Sequence, residues 1–134
     1  MACTGGLKTE CSQCQNNGVA DYFLIYGTTD CSLNCPAGQY KDTSGTFLCL
    51  LCESSCATCV TSAGNCQTCA FSTLLGADLF LSGTQCLLTC PATFWGNTGT
   101  HTCDACHLGC AICTDATLNT CTSCRDNGAT KYYK

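Results

Sequence analysis

The chain has 134 residues, 19 of them cysteine, and a net charge of −4 from five basic and nine acidic side chains. Cysteine at this density exceeds the roughly 8–10% at which a short chain reads as a disulfide scaffold, and its 10% of charged residues falls far below the usual ~25%. Five scattered Lys and Arg offer no basic patch to a phosphate backbone, and no apolar run approaches the ~18 residues of a membrane helix, so this segment carries neither a nucleic-acid role nor a membrane span.

Taken in order, the cysteines reveal a repeat, the first thing to look for in such a chain. Residues 1–10 read as the end of a preceding repeat. The first repeat, 11–65, opens on Cys11-x2-Cys14, and a β-prone run, "DYFLIYGTTD" (21–30), follows and ends in Gly and Thr, the pattern of a short hairpin. Next come Cys31, Cys35 and Pro36, then "AGQYKDTSGTFL" (37–48), which reads as strand, Gly turn, strand, and then the dense block "CLLCESSCATC" (49–59). The second repeat, 66–120, has the same plan: "GADLFLSGTQ" (76–85), Cys86, Cys90-Pro91, "ATFWGNTGTHT" (92–102) and "CDACHLGCAIC" (103–113). Cys11, Cys66 and Cys121 are spaced by 55 residues, so 121–134 begins a third repeat.

The dense blocks are too short and too interrupted for helices. Lone hairpins are marginal in water, so neighbours and covalent bonds must stabilise them. The expected fold is small, disulfide-rich, all-β and coil: an elongated tandem stack of short two-stranded hairpins with no helix beyond a single turn. Phe23 with Ile25, Leu79 with Leu81, and Trp95 against a neighbouring rung are the expected local apolar contacts.

Paired Cys-x2-Cys knuckles suit either zinc or disulfides. Structural zinc uses knuckles about 15–20 residues apart. Here only three residues separate them, in 49–59 and again in 103–113. Zinc would also leave the repeated Cys-x3-Cys-Pro spacing without a purpose. His107 has Glu53 as its counterpart, so a ligand there would not repeat. The spacing points to disulfides, no metal and no cofactor.

Catalysis has no support. A cysteine nucleophile needs a free, low-pKa thiol beside a base, and these thiols hold bridge positions. His101 and His107 read as solvated turn residues.

The run "CLLCESSCATC…CQTC…CLLTCPATFW…CDACHLGCAIC" resembles the furin-like cysteine-rich repeat. That family includes cysteine-rich modules of growth-factor receptors, R-spondins and subtilisin-like convertases, and large surface proteins of ciliates. The low charge and abundant Thr, Ser, Gly and Asn are more similar to the ciliate versions. Matched by cysteine order, the resemblance implies the pairs Cys14–Cys31, Cys35–Cys49, Cys52–Cys59, Cys56–Cys66, Cys69–Cys86, Cys90–Cys103, Cys106–Cys113 and Cys110–Cys121. Cys3, Cys11 and Cys124 are left unpaired or end-linked; Cys3 with Cys11 would close a default loop and leave Cys124 odd.

A disulfide ladder persists in oxidising compartments, which places the chain at the cell surface or outside the cell. No N-x-S/T sequon occurs, and Thr- and Ser-linked sugars are an open route. Two functions fit: a stiff structural or surface-coat segment, assembling with protein partners such as copies of itself in a filament or coat, or a recognition module for a protein partner. The matched chemistry of the repeats favours the first. The ends read as a window from a longer repeat protein: Met1 and Ala2 align with the two x positions of a Cys-x-x-Cys, and Lys134 falls within the first strand of a third hairpin. The alternative is a complete small protein whose odd thiol bonds a second copy.

Overall fold

The computed structural model describes residues 2–3, 11–14, 20–71 and 76–125. The strand expected to hold Lys134, like Met1, lies outside the described residues. The chain divides into two compact units, Met1–Thr68 and Cys69–Lys134, so the division falls inside the Cys66-x2-Cys69 knuckle, three residues beyond the repeat boundary counted from the sequence.

The first unit is a series of antiparallel two-stranded ribbons. β1 (Ala2–Cys3) pairs with β2 (Cys11–Gln13). β3 (Phe23–Leu24) pairs with β4 (Cys31–Ser32), and β5 (Gln39–Lys41) with β6 (Cys49–Leu51), setting Tyr40 opposite Leu50. β7 (Cys56–Cys59) and β8 (Cys66–Cys69) form a further ribbon. The knuckle cysteines, read from sequence only as non-helical, are therefore strand residues. Short strands suffice where a ribbon carries cystine on at least one strand, as β4, β6, β7 and β8 do.

The second unit goes beyond separate hairpins. β9 (Phe80–Ser82) pairs with β10 (Gln85–Leu87), and β11 (Phe94–Asn97) with β12 (Thr102–Ala105). A parallel contact, Thr102 opposite Leu81, fuses both into one four-stranded sheet of order β10-β9-β12-β11. β13 (Cys110–Cys113) and β14 (Cys121–Cys124) form the last ribbon, after a single 3-10 turn at Leu118–Thr120.

One hydrogen bond recurs where the two hairpins of a unit meet. The Leu24 N–H donates to the Phe47 carbonyl, and the Leu81 N–H to the His101 carbonyl, each at 2.8 Å. Phe47 and His101 both hold left-handed backbone, φ 55° and 56°. In the first unit β3 has only two residues, and the junction remains an isolated parallel bridge, Leu24 to Leu48.

The turn after each Cys-Pro is also shared. The Gln39 N–H donates to the Pro36 carbonyl (3.1 Å), and the Phe94 N–H to that of Pro91 (3.0 Å). The third turn residue takes positive φ, 78° at Gly38 and 72° at Thr93, the type II requirement. Glycine accepts that conformation freely, whereas a β-branched threonine does not.

The core is sulfur. Among the described residues, the buried apolar side chains are Cys14, Cys49, Cys56, Cys59, Cys66, Cys110, Cys113 and Phe23, and no polar side chain is buried. The Phe23 ring lies 6.2 Å from that of Phe47, with the Lys41 ammonium 5.3 Å from its centre. Ile25, Leu79, Leu81 and Trp95 are half-buried.

Candidate functional site

The cysteines dominate the chemistry of the chain. Unit by unit, the structure joins Cys14–Cys31, Cys35–Cys49, Cys52–Cys59 and Cys56–Cys66, then Cys69–Cys86, Cys90–Cys103, Cys106–Cys113 and Cys110–Cys121. Each bridge joins two cysteines that the family resemblance pairs. In both units the last two bridges are crossed, because Cys56 lies between Cys52 and Cys59, as Cys110 lies between Cys106 and Cys113. Backbone register sets Cys3 opposite Cys11. Cys124 is a free, partly exposed thiol on β14, opposite Cys110.

With sixteen thiols in bridges (eight pairs of two), neither nucleophile nor metal-binding thiolate remains at those positions. Among the described residues, no group of three or more His, Cys, Asp or Glu is placed to hold a metal ion. His101 Nδ1 lies 3.9 Å from an Asp78 carboxylate oxygen, and His107 Nδ1 lies 2.7 Å from the Leu108 carbonyl. Both imidazoles are exposed.

Three carboxylates are loop braces. Asp42 accepts from the Ser44 hydroxyl (2.6 Å), the Thr46 hydroxyl and the Ser44 N–H (2.9 Å). Asp104 accepts from the Asn97 amide and the Thr102 hydroxyl, both at 2.7 Å. Asp115 accepts from the Thr120 hydroxyl (2.7 Å) and the Thr117 N–H (2.6 Å). These donors favour the ionised form and hold all three carboxyls below their ordinary value, chiefly through Ser44 at Asp42, Asn97 at Asp104 and Thr120 at Asp115.

One concavity appears in each unit at the same place in the repeat. In the first it measures about 320 Å³ and lies between the β5 hairpin and the Cys59 end of β7, edged by Tyr40, Lys41, Val60 and Thr61. In the second it measures about 560 Å³ and lies between β11 and β13, edged by Pro91, Phe94, Trp95 and Ile112. Gln39, Tyr40 and Lys41 in one correspond to Phe94, Trp95 and Gly96 in the other. The first groove therefore carries a cation, and the second has no ionisable lining residue. Trp95 and Cys113 both line this second groove. The repeats match in cysteine order and differ here, which composition alone does not reveal.

No family model matches the chain. It is 32% identical over 128 residues to cysteine repeat modular protein 2 of Tetrahymena thermophila, covering 92% of this chain and 6% of that protein. With cysteine repeat modular protein 1 of the same organism it shares 30% identity over 149 residues, 88% of this chain and 6% of the relative. It is 32% identical over 122 residues to proprotein convertase subtilisin/kexin type 5 of Rattus norvegicus, 91% of this chain and 6% of that protein. The chain thus spans about 6% of the length of these relatives, and the matched stretches are cysteine-rich repeat regions, not the catalytic domains of the proteases.

Proposed function

The chain belongs to the furin-like cysteine-rich repeat family, and from that premise we propose that it is an extracellular structural segment, a disulfide-stapled spacer or coat element of a larger surface protein. The observation that carries this reading is the core itself: seven half-cystines and one phenylalanine make up the buried apolar side chains among the described residues. Such a core holds its shape by covalent bonds, so it tolerates a surface exposed to proteases and needs little apolar volume. It also requires an oxidising compartment, which supports the extracellular location.

A second reading, recognition of a protein partner, draws on the groove between β11 and β13, where Phe94 and Ile112 are exposed and no charge intervenes. Sedimentation of the oxidised chain over a concentration series separates the two. Concentration-dependent assembly supports the coat element. A strict monomer, with a binding partner lost on Phe94→Ser or Ile112→Ser, would favour recognition instead.

A further inference from the structure

Four hairpin tips present the same feature. Thr29 and Thr84 lie 55 residues apart at the tips of the first hairpin of each unit, and Thr43 and Thr98, also 55 apart, at the tips of the second. All four are exposed. None of their hydroxyls makes a hydrogen bond among the described residues.

At three of the four tips the neighbouring hydroxyls are engaged. Thr28 Oγ1 donates to the Ile25 carbonyl (3.0 Å) and accepts from the Asp30 N–H (3.1 Å). The Ser44 and Thr46 hydroxyls donate to Asp42, and that of Thr102 donates to Asp104. Three of the four free threonines are lifted by one device, a side-chain oxygen that accepts from the N–H two residues on and leaves the residue between at the apex. Thr28 does this across Thr29 (3.1 Å), Asp42 across Thr43 (2.9 Å) and Asn97 across Thr98 (2.9 Å). Thr84 reaches a similar position in a two-residue turn, in which Gly83 supplies the positive φ of 64°. The knuckle loop shows the contrast: Asp115 spans Ala116 to reach Thr117, and the apex has no hydroxyl.

We infer that Thr29, Thr43, Thr84 and Thr98 are acceptor sites for O-linked sugar, an inference that rests on the extracellular reading above. The co-substrate is a nucleoside-diphosphate sugar. The threonine oxygen bonds to the sugar's anomeric carbon as the carbon–phosphate-oxygen bond breaks. The nucleoside diphosphate leaves, and the hydroxyl proton passes to a base of the transferase. At these four sites the acceptor gives up no internal hydrogen bond and no backbone must open, whereas glycosylating Thr46 or Thr120 would break a loop brace. Sugars would also hydrate a surface that has few charges and exposes large apolar side chains such as Leu108 and Ile112.

The test is site mapping by electron-transfer fragmentation on protein recovered from the cells that make it, with disulfide state and compartment recorded. Sugar on the four tip threonines and none on Thr46, Thr102 or Thr120, with the glycan mass lost in a T29V/T43V/T84V/T98V variant, is the expected result. An oxidised extracellular chain without sugar, or with sugar on the engaged hydroxyls, overturns this inference and leaves the proposed function standing. A reduced chain inside the cell overturns both.

Discussion

Phe80 covers Gly96 so closely that a Cβ added at position 96 would fall 2.7 Å from two carbons of its ring. The matching position in the first unit is Lys41, whose ammonium lies over the Phe23 ring. Each first hairpin thus rests an aromatic on the second, by close backbone approach in one unit and by cation–π contact in the other.

Gly96→Val should therefore destabilise the second unit by about 1–3 kcal/mol, the range for overpacking. Phe80→Leu in the same chain should recover part of that loss. Lys41→Ala should cost the first unit only about 0.5–1 kcal/mol, because the cation is at an exposed site. Denaturant unfolding with the disulfides intact measures all three.

Thr93 occupies the left-handed turn position that Gly38 holds in the first unit. A non-glycine residue pays about 1–2 kcal/mol there, and glycine gives back about 0.5–1 kcal/mol in chain entropy. Thr93→Gly should thus stabilise the chain by roughly 0.5–1 kcal/mol, and Gly38→Thr should destabilise it by a similar amount. A pair of non-reducing thermal melts decides whether the two changes have opposite signs.

Acid should loosen the loops. Asp42, Asp104 and Asp115 have folded-state pKa values below the 3.8 of an unperturbed carboxyl. The unfolded chain therefore binds protons first as pH falls, and stability rises with pH through this window. The contribution is complete above 3.8 and is lost as pH drops through the lower folded values. Unfolding midpoints followed from about pH 6 to about pH 2 should show this decline. Asp104→Asn should remove its share of the slope.

Deleting one rung should cost more than any of these changes. Cys56 and Cys66 are buried, and their bridge spans ten positions. Cys56→Ala with Cys66→Ala should destabilise by about 2–5 kcal/mol. Reduction of all rungs should abolish the fold, because the buried apolar set left would be one phenylalanine and uncoupled thiols. Circular dichroism before and after reduction reads this directly.

Cysteine order by itself determined the repeat, its 55-residue period and, through the family resemblance, partners for sixteen cysteines. Glycine, threonine and aromatic patterning located four hairpins, because turn chemistry and strand alternation are local properties of the chain. Tertiary structure decided how each loop distributes its residues. Between the second cysteine of a repeat and the third lie sixteen residues in both repeats, yet Leu24 sits seven residues before Cys31 and Leu81 five before Cys86. Counting from the cysteines aligns Leu24 with Leu79; the shared bond to Phe47 and His101 aligns it with Leu81. A slip of two residues preserves the strand's face, so neither spacing nor alternation opposes it. The fusion of the second unit into four strands, the burial of Phe23 but not Ile25, and the contrast between the grooves depend on contacts between segments about twenty residues apart. No local pattern encodes such contacts.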